Sequence, residues 1–161
     1  MLRLRKIEPT DLPYLYQWEN DARMWADSDT HNPLSQADLR EYIASTTGDI
    51  YRDGQLRLMI EDEGVTLGCI DLFDFDARNR KAAIGMYIAP HARGKGVGKL
   101  IFTTAMSMAK DMGYNHLYFS TYNVLKPARN MYRNLGFVIT KETPEDEVLP
   151  GAVEEIWEKD I

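Results

Sequence analysis

A chain of 161 residues, 44% of them hydrophobic, is long enough for one packed domain and too short for two ordinary ones. Its formal net charge of −6 argues against a general nucleic-acid binder, because affinity for phosphate backbones comes largely from lysine and arginine. The sequence has no apolar run of membrane-spanning length, no signal-peptide pattern and one cysteine, Cys69. We therefore expect a single cytoplasmic domain, residues 1–161, that binds neither nucleic acid nor a membrane.

The local sequence pattern predicts short strands and helices, and several boundaries carry a recognisable signal. Thr10 can cap the first helix, and Ser35 followed by Asp38 has the capping-box pattern for the second. Between these helices, the polar segment 25–33 predicts a loop that contributes to specificity. In chain order we predict a strand over 2–7, helices over 10–20 and 36–45, strands over 56–61, 66–75 and 81–89, a helix over 97–112, a strand over 116–121, a helix over 127–136, and strands over 137–141 and 153–158.

The order of these elements predicts a mixed α/β fold. The strands before residue 90 follow one another through short connections, as in an antiparallel meander. The strand, helix and strand that come next form a crossover, which predicts a parallel pair of strands around the long helix. The sheet should therefore be mostly antiparallel, with that one parallel pair.

A glycine-rich basic segment joins the strand that ends at Pro90 to the long helix. Its glycines allow the backbone to approach a ligand closely, and the N–H groups of the first helical turn have no partner within the helix. The helix dipole adds to the attraction for an anion. The pattern therefore predicts a phosphate-binding loop. Its residues are Arg93, Gly94, Lys95, Gly96, Val97, Gly98 and Lys99.

The helix after this loop has a continuous apolar stripe, which predicts that it packs on a sheet. Gly113 is placed to end the helix. The residues of the predicted stripe are Val97, Leu100, Ile101, Thr104, Ala105, Met108, Ala109 and Met112.

Two common phosphate-binding motifs fit the loop poorly. A nucleotide P-loop requires Ser or Thr after Gly-Lys, whereas Leu100 follows Lys99 and Arg93 occupies the place of the first glycine. A dinucleotide fingerprint requires a different glycine spacing and an acidic residue at the end of the next strand, which here ends in the neutral residues 121–123. Coenzyme A is the third phosphate ligand to consider.

Residues 93–98, Arg-Gly-Lys-Gly-Val-Gly, resemble the Arg/Gln-x-x-Gly-x-Gly/Ala signature of the GNAT superfamily of N-acetyltransferases. Residues 128–137, Ala-Arg-Asn-Met-Tyr-Arg-Asn-Leu-Gly-Phe, are similar to the second block of that family, a short helix that carries a tyrosine and ends at Gly-Phe. A helix and a strand separate the two blocks, as in the family. The resemblance implies the GNAT-like acyl-CoA N-acyltransferase fold, acetyl-CoA as acetyl donor, an amine-bearing acceptor and no metal.

The resemblance also implies roles for particular residues. The backbone of Met86, Tyr87 and Ile88 would contact pantetheine and donate a hydrogen bond to the oxyanion that forms during transfer. Tyr132 matches the family's tyrosine near the cofactor sulfur, where its phenol can protonate the leaving thiolate. The alternative is that Tyr132 is a half-buried helix residue that only packs.

The family's usual base is missing. Many members carry a glutamate at the position of Ala83, which cannot accept a proton. Asp71 and Asp74 on the preceding strand are the nearest candidates to replace it, although their spacing places them on opposite faces of a regular strand. A chain of water molecules is a further option. Alternatively both are solvated or paired with a basic neighbour: Arg78, Arg80 or Lys81.

One cofactor contact of the family is displaced in this sequence. Many members have a cofactor-binding asparagine at the position of Leu125, and we expect Asn123, two residues earlier, to take its place through a shifted loop. The histidines, at positions 31, 91 and 116, have no metal-ligand spacing, so we expect no metal site.

We therefore predict an N-acetyltransferase that moves the acetyl group of acetyl-CoA to a primary amine by direct attack. Residues 18–21, Trp-Glu-Asn-Asp, resemble the branch with spermidine and ribosomal-protein N-acetyltransferases, which leaves a polyamine, a protein N-terminus or another small amine as acceptor. The alternative is an acetyl-CoA-binding sensor or regulatory domain that has lost catalysis, which the alanine at position 83 would explain. The oligomeric state is open, with a homodimer as one option.

Overall fold

The computed structural model describes residues 1–20, 34–124, 126–145 and 150–161. The predicted specificity loop, residues 25–33, lies outside the described residues, and so does Leu125. In chain order the elements are β1 (Leu2–Lys6), a 3-10 turn (Pro9–Asp11), α1 (Leu12–Glu19), α2 (Gln36–Ser45), α3 (Ile50–Asp53), β2 (Gln55–Asp62), β3 (Val65–Asp76), β4 (Lys81–Ile88), a second 3-10 turn (Pro90–Ala92), α4 (Val97–Asp111), β5 (His116–Tyr122), α5 (Lys126–Asn134), β6 (Val138–Glu145) and β7 (Ala152–Asp160).

Local capping explains where the first helices begin. The predicted capping box of α2 is confirmed, because the Ser35 hydroxyl accepts the Asp38 N–H at 3.0 Å and the Asp38 carboxylate accepts the Ser35 N–H at 3.2 Å. The predicted cap at Thr10 is wrong. Glu8 and Asp11 form a capping box around the 3-10 turn instead, with the Glu8 N–H donating to Asp11 at 2.8 Å. The short helix α3, which the sequence analysis missed, begins after the Asp49 side chain, which caps it.

The sheet has seven strands in the order β1-β2-β3-β4-β5-β7-β6. Strands β1 to β4 form an antiparallel meander, and β4 pairs with β5 in parallel. The predicted mixed, mostly antiparallel α/β fold with one parallel pair around the long helix is therefore confirmed. None of the helices in the described residues is both long enough and apolar enough to cross a membrane.

The chain folds into two compact units. Unit 1 comprises Met1–Ile7, Thr47–Phe119 and Glu158–Ile161, and it contains β1 to β4, α3, α4 and the start of β5. Unit 2 comprises Glu8–Thr46 and Ser120–Trp157, and it contains α1, α2, α5, β6 and most of β7. That the whole chain is one domain stays a prediction.

Helix α4 packs on β3 and β4 in unit 1, as its apolar stripe predicts. The exact face differs from the prediction, since Leu100 is 52% exposed and Phe102, which was not in the stripe, is buried. The Phe102 ring meets Phe119 of β5 edge-on at a centroid distance of 5.6 Å. The sheet surface decides which helical positions are covered. Periodicity alone does not fix the buried face of the helix to the exact residue. The buried side chains of α4 are Ile101, Phe102, Ala105 and Ala109.

Candidate functional site

Strands β4 and β5 part from each other midway along β4. Within the described residues, their parallel ladder joins residues 81–83 to residues 116–118 and ends at the pair Ala83 and Tyr118. On the other side, β3 stays paired with β4 as far as Ile88. Residues 84–88 of β4 therefore run beyond the end of the β4–β5 ladder. Met86, Tyr87 and Ile88, the predicted pantetheine contacts, lie in this stretch.

Strand β3 holds this part of β4 through a close backbone contact. Gly68 is paired with Ile88, and a Cβ atom built on Gly68 would lie 2.0 Å from the carbonyl oxygen of Tyr87. The Ala89 N–H donates to the Leu67 carbonyl at 2.7 Å. A glycine at position 68 is therefore required for β3 and β4 to approach this closely. The pairing with β3 holds β4 in place beyond the end of its ladder with β5.

The glycine-rich loop follows β4 after one short turn. The turn Pro90–Ala92 ends the strand, as the proline predicts. Gly94 and Gly96 have left-handed φ angles of 76° and 75°, and a Cβ on either would meet no protein atom within 4 Å. Within the protein, the backbone conformation rather than crowding requires glycine at these positions. This open space is where a phosphate group could approach the backbone.

The loop ends at the N-terminus of α4, with Gly96 as the N-cap residue and no side chain capping the helix. The first intrahelical bond runs from the Leu100 N–H to the Gly96 carbonyl at 3.3 Å, which leaves the N–H groups of residues 97–99 outside the helical ladder. Arg93, Lys95 and Lys99 are all exposed and surround this end with positive charge. Backbone donors, the helix dipole and basic side chains are the features that attract an anion such as a pyrophosphate, and the binding of the cofactor by this loop stays a prediction.

Arg93 connects the loop to the end of β4. Its Nε donates to the Ile88 carbonyl at 2.9 Å, and its guanidinium lies 5.8 Å from the centroid of the Tyr87 ring. These contacts fix the start of the loop relative to the predicted pantetheine-binding strand. That Arg93 binds the cofactor directly stays a prediction.

The two aspartates proposed to replace the missing base have different surroundings. Asp71 receives two hydrogen bonds from Arg57, a partner that the sequence analysis did not consider. Asp74 is exposed, and it adopts a left-handed φ of 47° at an irregularity in the pairing of β3. The expectation that residues three apart lie on opposite faces holds for a regular strand, and β3 is not regular at Asp74, so it does not decide which face the Asp74 side chain occupies.

Tyr118 is a polar residue beside the missing base that the sequence analysis missed. It is directly opposite Ala83 in the β4–β5 ladder, and its hydroxyl lies 3.5 Å from the Asp74 carboxylate. Burial raises the pKa of Tyr118, and the negative charge of Asp74 raises it further, so the phenol remains protonated at neutral pH. The pairing of β3 with β4 and of β4 with β5 brings these three residues together, and nothing in the local sequence indicates it.

The two remaining predicted site residues belong to unit 2. Tyr132 lies on α5 with 9% of its surface exposed, and its ring meets the Trp157 ring at a centroid distance of 5.6 Å. The Asn123 side-chain oxygen accepts the Val153 N–H at 2.9 Å, and the Asn123 N–H donates to the Val153 carbonyl at 2.9 Å. Asn123 therefore holds the start of β7 in place through two hydrogen bonds with Val153. The catalytic role of Tyr132 and the cofactor role of Asn123 stay predictions.

Histidine, cysteine and carboxylate side chains are the groups that could bind a metal ion. In the four described stretches of the chain, no group of three His, Cys, Asp or Glu side chains is arranged to hold a metal ion. The lone Cys69 is buried in β3, as expected for a small core residue.

Comparison with known proteins identifies the family. The family described as "Acetyltransferase (GNAT) domain" matches residues 1–138 of this chain. The chain belongs to the GNAT acetyltransferase family. The sequence resemblance is thereby confirmed, and the protein is an acetyl-CoA-dependent N-acetyltransferase by family. Its glycine-rich loop and its second block both lie within the matched region.

Individual relatives extend over nearly the whole chain. Spermidine N(1)-acetyltransferase of Escherichia coli strain K12 is 26% identical over 158 residues, which cover 93% of this chain and 80% of the relative. The crystal structure of spermidine N-acetyltransferase from Vibrio cholerae in complex with CoA and spermine has a TM-score of 0.87 at 20% identity, covering 99% of this chain and 95% of the other. Ribosomal-protein-alanine N-acetyltransferase from Brucella melitensis has a TM-score of 0.79 at 18% identity, covering 99% of both chains. The two structures share the fold of this protein.

Proposed function

We propose that this GNAT enzyme acetylates a primary amine of a cationic small molecule, and that a polyamine is its acceptor. The observation that carries acetyl transfer is the end of the β4–β5 ladder at Ala83, followed by the left-handed glycines at the start of α4. A polyamine is supported by the relative that acts on spermidine and by the net charge of −6, which attracts a polycation.

The described residues fit acetyl-CoA in two places. The first-turn N–H groups of α4, with Lys95 and Lys99, suit the pyrophosphate, because exposed cations on the loop and the first turn accompany the backbone donors at the helix start. The backbone of residues 86–88 suits the pantetheine amides and the thioester carbonyl, since these residues lie beyond the end of the β4–β5 ladder. Acetyl-CoA supplies the acetyl group as a thioester, and the protein supplies donors and acceptors around it.

Two proton transfers are required of the protein. An ammonium group with a pKa of about 10.4 is almost entirely protonated at neutral pH, so the acceptor must lose a proton before its nitrogen attacks the carbonyl carbon. Asp74 is our candidate to receive that proton, directly or through water. When the C–S bond breaks, the sulfur leaves as a thiolate, and the Tyr132 hydroxyl is our candidate to protonate it.

The deciding experiment is a thiol-release assay with a panel of amines. We expect saturable release with spermidine and spermine, and a mass increase of one acetyl group on the amine. Peptides with a free N-terminal alanine and an aminoglycoside should give much lower kcat/KM. Turnover with the peptide alone would contradict the polyamine as acceptor and would still support acetyl transfer. Binding of acetyl-CoA with no thiol release for any amine would favour the sensor alternative.

We also propose that the enzyme works in the cytoplasm, where acetyl-CoA is available, and that the chain acts as one domain. Cell fractionation tests the first statement, and a single cooperative unfolding transition tests the second. A homodimer is compatible with these proposals, and light scattering of the purified protein decides it.

A further inference from the structure

A buried carboxylate in unit 2 is paired with an arginine of α5. Glu155 on β7 is 1% exposed. Arg129 donates to it twice, from Nε to Oε1 at 2.9 Å and from Nη2 to Oε2 at 2.7 Å. Such a fork-shaped pair fixes both the distance and the rotation of the two groups. A buried ion pair contributes little net stability compared with apolar residues of the same size, so a fixed orientation is the contribution that this pair is suited to make.

The ion pair lies beside the aromatic contact of Tyr132. Tyr132 follows Arg129 by three positions on α5, which places both on one side of the helix. Trp157 follows Glu155 by two positions on β7, which places both on one face of the strand. The rings of Tyr132 and Trp157 meet at 5.6 Å with an interplanar angle of 61°. Helix α5 is thus attached to β7 by an ionic and an aromatic contact side by side, and the Arg133 guanidinium, 5.7 Å from the centroid of the Trp157 ring, adds a further contact.

We propose that Arg129 and Glu155 are positioning residues that hold the Tyr132 hydroxyl in place for proton transfer. This inference rests on the proposed role of Tyr132 as the donor to the leaving thiolate. The edge-to-face ring contact alone tolerates sliding and rotation, whereas two parallel charged hydrogen bonds do not. Proton transfer requires a heavy-atom distance of about 2.6–3.2 Å, so small displacements of a nine-residue helix matter.

The test is a double-mutant cycle on turnover. Glu155→Gln should lower kcat roughly tenfold and leave the KM for acetyl-CoA within about twofold, because orientation and not binding is lost. In the Tyr132→Phe background, adding Glu155→Gln should lower kcat no further, since the pair acts through the hydroxyl that is already absent. Glu154→Gln is the matched control on the neighbouring position, where the carboxylate accepts from Ser120 at 2.9 Å, and its kcat should be unchanged.

A conservative variant keeps the test valid if Glu155→Gln unfolds. Arg129→Lys preserves the charge balance but replaces the fork by a single ammonium, so it should fold and lower kcat by a smaller factor. The positioning role would be overturned if the kcat losses of Tyr132→Phe and of either pair variant multiply in the double mutant. Tyr132 would then remain the donor. Wild-type turnover of Tyr132→Phe alone would instead overturn the proposed role of Tyr132. All assays are run well below the Tm of each variant.

Discussion

Arg57 donates two hydrogen bonds to the carboxylate of Asp71, from Nε to Oδ1 and from Nη2 to Oδ2, each 2.7 Å long. The two residues are directly opposite each other in β2 and β3, and their side chains are 14% and 15% exposed. Both oxygens of Asp71 are therefore engaged by a cation that does not lose its charge. The exposed carboxylate of Asp74 is better placed to receive a proton from the acceptor.

We predict that Asp74→Asn and Asp71→Asn have different effects. Asp74→Asn should lower turnover by roughly 10² and alter the acidic limb of the pH–rate profile, because it removes the proton acceptor. Asp71→Asn should mainly lower the free energy of unfolding, by about 1–3 kcal/mol, because it leaves Arg57 without its charged partner. Rates at several pH values and denaturant unfolding measure the two effects. Wild-type turnover in both variants would assign the proton transfer to water.

The glycine loop gives a second prediction. Gly96→Val should abolish acetyl-CoA binding in calorimetry, because the side chain occupies the open space above the first turn of α4 and the left-handed backbone resists a β-branched residue. Gly64→Val is the matched control, since Gly64 has a similar φ of 82° and equally open space at the β2–β3 turn. The control should lose similar stability and keep its affinity. Unchanged affinity in folded Gly96→Val would contradict the phosphate-binding loop.

Tyr132→Phe tests protonation of the leaving thiolate. Removing the hydroxyl while keeping the ring should leave acetyl-CoA affinity and Tm nearly unchanged and lower turnover by roughly 10²-fold. Tyr114→Phe is a suitable control, because Tyr114 is a buried tyrosine of unit 1 whose pKa is raised by burial to about 12 and whose hydroxyl lies 3.4 Å from that of Tyr51. The control should turn over at the wild-type rate. A Tyr132→Phe enzyme that does the same across the pH range would show that Tyr132 only packs.

The contacts of His116 should make the stability of the protein depend on pH. Its Nδ1 lies 2.7 Å from Asp160 and its Nε2 lies 2.8 Å from Glu158, and these contacts, the one with Asp160 first, raise the pKa of His116. The stabilisation is therefore fully present below the unfolded-state pKa of about 6.5 and is lost as the pH rises through the higher folded-state pKa.

The measurement for His116 is the Tm of wild type and of His116→Asn across the pH range. The difference should be largest below pH ~6 and should diminish in alkaline solution. High salt should reduce it, because the Asp160 side chain is 92% exposed. A difference that is independent of pH would show that the ring contributes by packing and not by charge.

Much of the fold and part of the site could be predicted because they depend on residues close together in sequence. The capping box at Ser35, the strand end at Pro90 and the left-handed glycines of the loop each follow from a local backbone requirement. The end of α5 is equally local, since Gly136 adopts a φ of 89° there and the Phe137 N–H donates to the Tyr132 carbonyl at 3.0 Å. The family signature combines two such local patterns.

Local patterns were enough to predict most of the elements and the family, and to point to the glycine-rich loop as the phosphate site, because helix periodicity, capping and glycine conformation act over a few residues. The partner of Asp71, the place of Tyr118 beside Ala83 and the attachment of Arg129 to Glu155 follow only from the folded chain. These contacts join residues that are separated along the chain by 14 positions in the first case and by 26 in the last. They exist only where strand register and helix docking bring distant segments together, and which side chains then become partners depends on that register rather than on the identity of neighbouring residues.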